Sequence, residues 1–299
     1  MQTANKILMV RPAHFTYNEQ TAKNNHFQHK SSVSNINEKA LKEFDDFVET
    51  LRNNKIEVIV VQDTIDPHTP ESIYPNNWFS THSTGELILY PMFAENRRLE
   101  RKPYVLETIK EHFSAHKVID FTAWEDKNRF LEGTGSMILD HNNRVVYACR
   151  SERTDDIVLE EFYTKMNSEP EIFNSYDDKG RNIYHTNVML SIGEKYAVIC
   201  AESITDENRK ANIINRLKNA NKDVLEISFE QMKKFCANII EVRNSDNQNL
   251  LIMSETAKDA FTDEQKKVLE KHCKIISSPL TTIEKTGGGS ARCMIAEIF

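Results

Sequence analysis

The chain has 299 residues and a net charge of −7 at pH 7, and it is long enough to bury a sizeable core without disulfides or metals. No basic cluster is interleaved with aromatic residues, so we expect no nucleic-acid partner. The apolar run Ile7 to Val10 is too short for a signal peptide or a membrane span. Five scattered cysteines without a CxxC pair argue against a disulfide framework and a zinc ribbon. We therefore expect a cytoplasmic protein without a metal or other cofactor. The sequence is compatible with a homo-oligomer as well as with a monomer.

Helical segments recur along the chain, and three of them begin with the same signal. Apolar residues at helical spacing predict helices over 40–51 and 105–113. Thr154, Thr205 and Thr262 each precede two acidic residues and recur about every fifty residues. Threonine is a good N-cap, and acids in the first turn suit the helix dipole, so we predict a helix after each threonine. Gln265 completes a predicted capping box with Thr262.

Each helix is followed by a short strand and a turn, and then by a β-hairpin. The predicted strands lie at 56–61, 118–119, 172–173, 224–227 and 275–276, and the fifth hairpin has a single arm from Cys293 onward. Ile7 to Val10 can supply the missing partner and so close a ring. Alternating helices and strands indicate an α/β fold. Five similar units predict a closed, propeller-like array that forms one domain, residues 1–299.

Polar residues open the five hairpins at matching positions: Asn77, Glu132, His185, Asn238 and Cys293. In a closed array of repeats such positions converge on the axis, so we expect Glu132, His185 and Cys293 to meet. Cys293 ends a glycine-rich turn, which leaves room for a ligand. It also follows Arg292, and positive charge beside a thiol favours the nucleophilic thiolate. The sequence therefore indicates Cys293 as a candidate nucleophile.

Four motifs resemble those of the guanidino-group-modifying enzymes, which include arginine deiminase, dimethylarginine dimethylaminohydrolase, agmatine deiminase and the amidinotransferases. They are L-E-G-T-G at 131–135, Y-H-T-N at 184–187, C-A-N at 236–238 and G-G-G-S-A-R-C-M at 287–294. The resemblance covers essentially the whole chain and implies a five-bladed αβ propeller, the pentein fold, with pseudo-five-fold repeats. It also implies that Cys293 is the nucleophile, His185 the general acid and base, and Glu132 a carboxylate that orients the substrate or His185.

A further set of motifs is similar to the citrulline-utilisation hydrolase branch of this superfamily: M-V-R-P-A-H-F at 9–15, N-E-Q-T-A-K-N-N at 18–25 and Y-P-N-N-W-F-S-T-H at 74–82. Two positions that carry aspartate in arginine deiminases are His82 and Asn187 here. In that family the two acids hold a guanidinium cation. Their absence favours a neutral ureido group, to which Asn187 and a neutral His82 offer both a donor and an acceptor.

The predicted function is a cysteine-dependent hydrolase of a carbon–nitrogen bond in a linear urea or amidine. The leading prediction is citrulline to ornithine, ammonia and carbon dioxide, through a covalent intermediate on Cys293. The alternatives are an arginine deiminase or an amidinotransferase acting on a guanidino substrate, and a non-catalytic pentein binding module. The predicted partner is a small amino-acid substrate, citrulline or an arginine-like compound.

The remaining substrate contacts are assigned more loosely. Asn77 and Asn238 are candidate substrate ligands, Arg292 is a candidate for the thiolate or a substrate carboxylate, and Phe15 is expected to line the pocket. Arg11 and Asn18 are candidates for the amino-acid end of the substrate. The charged run 96–102 is expected to be the solvated start of a helix.

Overall fold

The computed structural model of the protein describes residues 1–30 and 35–299. The strands are β1 Lys6–Arg11, β2 Glu57–Gln62, β3 Phe79–Thr81, β4 Glu86–Leu89, β5 Lys117–Asp120, β6 Met137–Asp140, β7 Val145–Cys149, β8 Glu169–Phe173, β9 Leu190–Ile192, β10 Tyr196–Ile199, β11 Asp223–Glu226, β12 Ile240–Arg243, β13 Asn249–Ser254, β14 Lys274–Ser278 and β15 Ala296–Ile298. The helices are α1 Ile36–Asn53, α2 Glu95–Arg98, α3 Pro103–His112, α4 Gly133–Ser136, α5 Asp156–Lys165, α6 Glu207–Asn219, α7 Phe229–Lys233, α8 Glu255–Ala260, α9 Asp263–Glu270 and α10 Thr281–Gly287.

The strands form five small sheets with one shared topology. Four sheets follow chain order, β3-β4-β5, β6-β7-β8, β9-β10-β11 and β12-β13-β14, and each joins an antiparallel hairpin to a third, parallel strand. The parallel third strand needs a crossover, and helices α3, α5, α6 and α9 supply it. This repeated unit confirms the predicted α/β class and the repeat of helix, strand and hairpin.

The fifth sheet joins the two ends of the described chain. Its order is β15-β1-β2, and Leu8 of β1 pairs with Ala296 of the antiparallel β15. The predicted pairing of the N-terminal apolar run with the last arm is therefore confirmed, although the last strand begins at Ala296 rather than next to Cys293. The five sheets fit a pseudo-repeat, propeller-like arrangement, in which β15 lies against β3, and β9 lies against both β6 and β12.

Apolar side chains fill the space between sheets and helices in four clusters. The longest helix, α1, buries one stripe that includes Phe44, Phe47 and Leu51, as its helical apolar spacing predicts. Cys293 and Tyr74 belong to the same cluster as this stripe. Cys293 therefore packs directly against the apolar core under α1.

The helix caps differ in part from the prediction. Thr262 caps α9 and forms the predicted capping box with Gln265. For α5 and α6 the cap is the next residue, Asp155 or Asp206, whose carboxylate accepts hydrogen bonds from the first turn. Threonine capping was therefore wrong at Thr154 and Thr205. A carboxylate satisfies the same N–H groups and adds a favourable interaction with the helix dipole.

In the part of the chain described, none of the helices has the length and apolar character that crossing a bilayer requires. The same residues contain no group of three histidine, cysteine, aspartate or glutamate side chains placed as metal ligands.

Candidate active site

Asn77, Glu132 and His185, which open three of the hairpins, lie together, and Asn238 lies against Cys293. Asn77 ends a short 3-10 turn before β3, Glu132 precedes α4, and His185 precedes the 3-10 turn before β9. Gly135 shows how closely they approach, because a Cβ atom there would lie 2.5 Å from Asn77 Nδ2 and 2.7 Å from His185 Nδ1. Only glycine fits between these side chains, so Asn77 and His185 lie next to each other.

Cys293 is buried, with 5% of its surface exposed, and two side-chain amides point at its sulfur. Asn238 Nδ2 lies 3.1 Å and Asn187 Nδ2 lies 3.4 Å from Sγ. The backbone N–H of Cys293 donates to Ser290 O at 3.0 Å, which fixes the residue at the end of the glycine-rich turn. Two N–H donors aimed at one sulfur stabilise negative charge on it. The structure thus places both asparagines at the sulfur of Cys293, a contact that the sequence did not predict.

His185 is buried and held by Glu132. The distance from His185 Nε2 to Glu132 Oε2 is 2.8 Å, and Glu132 Oε2 also accepts a bond from Arg153 Nη1 at 3.3 Å. Burial alone would raise the pKa of Glu132, but Arg153, His185 and Arg97 hold that pKa well below its usual range. Glu132 is therefore ionised and can only accept, so His185 carries its proton on Nε2. The lone pair of Nδ1 stays available next to Asn77.

The imidazole of His185 is neutral in the resting site. Burial lowers the pKa of His185 to about 4, although Glu132 raises it, and Arg153 and Arg97 lower it further. A neutral imidazole with a free Nδ1 is a base, and the adjacent carboxylate stabilises the imidazolium that forms when it takes up a proton. The predicted role of His185 as acid and base remains a prediction, and this geometry fits it.

Within the charged run 96–102, Arg97, Glu100 and Lys102 are buried, which corrects the prediction of a solvated helix start. Arg97 is 1% exposed and forms a two-pronged pair with Glu100 at 2.8 and 3.0 Å. Its Nη1 donates to Asn77 Oδ1 at 2.7 Å, and Glu71 lies 3.6 Å from Nε. Burial raises the pKa of Glu100 to about 7 against the opposing effect of Arg97. The only sequence signal for this buried pair is the spacing of three residues between Arg97 and Glu100. Ion pairs on exposed helices have the same spacing, so the signal does not indicate burial.

The segment 15–28 covers the glycine run before Cys293. Asn25 Nδ2 and Gln28 Nε2 both donate to Gly287 O, at 3.3 and 3.0 Å. Phe15 is fully buried, and a Cβ atom on Gly287 would lie 3.0 Å from its ring. Asn18 donates to Glu71 at 3.1 Å and to Asn96 at 3.2 Å. Phe15 and Asn18 therefore border the site, but the amide of Asn18 already binds protein groups.

Three predicted contacts lie elsewhere. Arg292 turns away from Cys293, donating to Ile295 O at 2.9 Å and pairing with Glu297 at 3.0 Å. Arg11 pairs with Asp45 at 2.7 Å at the surface. His82 lies at the far end of β3 from Asn77, with Nε2 2.8 Å from Ser80 Oγ. The hydrogen-bond partners of these three side chains lie outside the cluster around Cys293, so the structure does not place them at the reaction centre.

Arg153 and Glu71 are further residues that sequence reasoning missed. Arg153 is buried, and besides Glu132 it binds Thr21 O at 2.9 Å, so it joins the covering segment to Glu132 and His185. Glu71 accepts a bond from Thr21 Oγ1 at 2.8 Å and from Gln28. Each lies far along the chain from its partners, so no local pattern could have revealed the contact.

Residues 11–299 match the sequence profile of a protein family described as N,N dimethylarginine dimethylhydrolase, eukaryotic. No curated protein sequence matches the chain. Among solved structures, ArgZ, an arginine dihydrolase from the ornithine-ammonia cycle in Cyanobacteria, superimposes with a TM-score of 0.75 at 19% identity, covering 97% of this chain and 40% of ArgZ. AgrE with ornithine and NAD+ gives a TM-score of 0.77 at 18% identity, covering 98% of this chain and 39% of AgrE.

A third solved structure, a dimethylarginine dimethylaminohydrolase variant as an adduct with S-methyl-L-thiocitrulline, gives a TM-score of 0.66 at 14% identity over 98% of this chain and 99% of that one. This chain thus spans about two fifths of ArgZ and AgrE. At such identities the structures show a shared fold, and the profile match shows the family. The prediction of a hydrolase that acts on carbon–nitrogen bonds is confirmed at the level of the family. The chain belongs to the N,N dimethylarginine dimethylhydrolase family, within the guanidino-modifying enzymes of the pentein superfamily.

Proposed function

We propose that the protein is a cysteine-dependent hydrolase of a linear ureido compound, converting citrulline to ornithine, ammonia and carbon dioxide. The observation that carries this proposal is a pair of amide atoms, Asn77 Nδ2 and Asn187 Oδ1. Both are buried, and neither has a hydrogen-bond partner among residues 1–30 and 35–299. A ureido group offers a carbonyl oxygen to the donor and N–H groups to the acceptor. A guanidinium group offers donors only, so Asn77 Nδ2 would face another donor.

The orientation of the Asn77 amide is fixed by its neighbour. Arg97 has donors and no acceptor, so the oxygen of Asn77 must face Arg97 and the NH2 group must face the site. The same reasoning applies to Asn187 once Cys293 has lost its proton, because a thiolate can only accept and the amide then directs Nδ2 toward Sγ. Asn77 Nδ2 and Asn187 Oδ1 are therefore left without a partner because the other atom of each amide is bound to Arg97 or to Cys293.

The buried carboxylates near the site already bind protein donors. Glu132 accepts from His185, Arg153 and the backbone N–H of Phe93. Glu71 accepts from Asn18, Thr21 and Gln28, and Glu100 accepts from Arg97. A guanidinium cation would need acceptors of its own inside the site. Because these carboxylates are already bound to protein donors, the site favours a neutral substrate over a cation.

The reaction proceeds through two displacements at one carbon. His185 Nδ1 takes the proton of the Cys293 thiol, and the thiolate attacks the ureido carbon. The carbonyl oxygen becomes an oxyanion that accepts a bond from Asn77 Nδ2. Protonated His185 gives its proton to the departing nitrogen, which leaves the substrate carbon bound to sulfur. Water, deprotonated by His185, then attacks this thioester-like carbon and releases the thiol.

The products balance with one water consumed overall. If ammonia leaves in the first displacement, hydrolysis releases the carbamate of ornithine, which breaks into ornithine and carbon dioxide. Cys293 and His185 act in the roles that the family motifs imply, while Glu132 holds His185. The proposal includes one catalytic domain over 1–299, in which closure of the five sheets into a ring would bring Cys293 next to His185.

A guanidino substrate is the competing candidate, favoured by the family description and by the relative named an arginine dihydrolase. The deciding experiment measures product formation from L-citrulline, L-arginine and N,N-dimethylarginine side by side, with Cys293→Ala as control. We expect ornithine and ammonia from citrulline, lost in the variant. Turnover of arginine or dimethylarginine with no turnover of citrulline would overturn the ureido proposal, and an unchanged rate in Cys293→Ala would overturn the covalent mechanism.

A further inference from the structure

A cavity of about 600 Å³ lies beside the active site and is not used by the proposed reaction. We call it the lateral cavity. Its apolar walls are Phe27, Ile183, Tyr184, Met232 and Phe235. Glu132, His185 and Cys293 are not among its lining residues. A volume of this size accommodates a small organic molecule.

Three walls of the lateral cavity connect to the candidate active site through one or two hydrogen bonds or through the adjacent residue of the chain. Tyr184 precedes His185, and its hydroxyl donates to Gly288 O at 2.9 Å. Phe235 O accepts the backbone N–H of Asn238 at 2.9 Å, and the Asn238 amide points at Cys293 Sγ. Moving Tyr184 or Phe235 would therefore shift His185 or the Asn238 amide that contacts Cys293 Sγ.

The third wall connects through a buried carboxylate. Glu284 lines the lateral cavity and accepts the Ser290 hydroxyl at 2.6 Å. The carbonyl of Ser290 in turn accepts the backbone N–H of Cys293 at 3.0 Å. A chain of two hydrogen bonds thus links the cavity to the nucleophile.

Phe235 adds a sign of functional constraint. Its φ is +63°, a left-handed conformation that a bulky side chain rarely adopts. Its ring packs on Phe27 with centroids 5.5 Å apart. Strained backbone persists where the surrounding structure over-determines it, and such positions concentrate at ligand sites and switches.

The rim of the lateral cavity carries excess positive charge. Lys233 pairs with Asp178, and Arg181 pairs with Asp177. Three further rim lysines form no ion pair with the described residues: Lys179, Lys234 and Lys285. An apolar interior below unpaired ammonium groups suits a molecule with an apolar body and one anionic group.

We propose that the lateral cavity is a regulatory site for a small organic anion with an apolar body, such as a hydrophobic monocarboxylate. Its occupant packs against Tyr184 and Phe235 and changes how Asn238 and the glycine-rich turn hold Cys293. Only the consequence for turnover rests on the proposed function, because binding and thiol reactivity are measurable without a substrate.

The first test uses the full chain and 8-anilinonaphthalene-1-sulfonate, an aromatic anion whose fluorescence rises in apolar sites. We expect one equivalent to bind, and hexanoate to displace it. The double variant Lys234→Glu/Lys285→Glu should weaken binding at least about tenfold at low salt. Lys110→Glu on α3, also exposed but away from the cavity, should change it less than about twofold. Equal effects of the two charge reversals, or no stoichiometric binding, would overturn the site.

The second test separates this site from the substrate's own. Saturating citrulline should leave the probe bound to Cys293→Ala, and displacement would mean that the lateral cavity belongs to the substrate site. Probe saturation should change the rate of Cys293 alkylation by iodoacetamide at least about threefold, followed by mass spectrometry of the Cys293 peptide. A bound probe with an unchanged alkylation rate would overturn the regulatory role, whatever the enzyme's substrate proves to be.

Discussion

At the level of single residues, Glu132 determines which nitrogen of His185 carries the proton. Glu132→Gln keeps the size of the side chain but offers an N–H where His185 needs an acceptor, and it leaves Arg153 without its anionic partner. We expect kcat/KM to fall by about 10²- to 10⁴-fold. Glu171→Gln is the matched control, because Glu171 is also buried and paired, with Arg209 and Arg216, but belongs to β8. A loss of the same size in both variants would contradict a specific role for Glu132.

Asn77 is the residue whose exchange tests substrate choice. Asn77→Asp keeps the oxygen that accepts from Arg97 and replaces the free NH2 group by a second, charged acceptor. We expect the ratio of kcat/KM for arginine to that for citrulline to rise about tenfold or more, because a carboxylate binds a guanidinium by charge-assisted bonds. Asn77→Ala, which removes both groups, should lower activity without this reversal. An unchanged ratio in Asn77→Asp would show that another residue distinguishes arginine from citrulline.

At the level of the helix, the caps give a paired prediction. Asp206 caps α6 through a bond to the backbone N–H of Arg209, whereas Thr205, one residue earlier, is exposed. Asp206→Ala should lower the free energy of unfolding by about 1 kcal/mol. Thr205→Ala should change it by less than about 0.5 kcal/mol. Urea unfolding of both variants distinguishes the two, and the reverse order would restore the threonine cap that the sequence favours.

The same helix shows what sequence can and cannot determine. The start of α6 was predictable to within a residue, since threonine and aspartate both cap helices well. Choosing between adjacent caps depends on backbone angles that the packed structure fixes. The five-unit repeat was predictable because its hairpins recur at regular spacing, and the same repeat brought Glu132 and His185 together before any contact was known.

The electrostatic support of the site was not predictable in this way. Arg97 and Arg153 lie in segments as polar as any surface loop, and only tertiary contacts show that they are buried against Asn77 and Glu132. For Arg292 the sequence predicted a contact with Cys293 that the structure does not show. Adjacency to Cys293 in sequence suggested a partner for the thiolate, but residues 291–294 form a turn, and the Arg292 guanidinium donates to Ile295 O on the far side of it. Its guanidinium pairs with Glu297 instead.

For the whole molecule, buried histidines make stability depend on pH. Burial lowers the pKa of both His82 and His185 to about 4, from an ordinary value of 6.5. Between these values the unfolded chain binds protons that the folded chain does not, so the stabilisation present above pH 6.5 is lost as the pH falls toward 4. Glu100 acts in the opposite direction, because burial raises its pKa to about 7 and the folded chain keeps its proton. Burial shifts the pKa of His141 in the same direction as those of His82 and His185, and it shifts the pKa values of Glu241 and Glu284 in the same direction as that of Glu100, so the contribution of one histidine is isolated by a substitution.

His82 allows this linkage to be measured without touching the reaction centre, since it contacts Ser80 at the far end of β3. His82→Asn removes one proton-binding group, so the free energy of unfolding should fall less steeply between pH 6.5 and 4 than in the parent chain. The difference should reach roughly 2–3 kcal/mol across that range. Urea unfolding at pH 8, where the imidazole is neutral in both states, measures the packing cost of the exchange alone. If the pH dependence of the variant equalled that of the parent after this correction, His82 would have to be protonated in the folded chain, and its burial against Phe162 would need another polar partner.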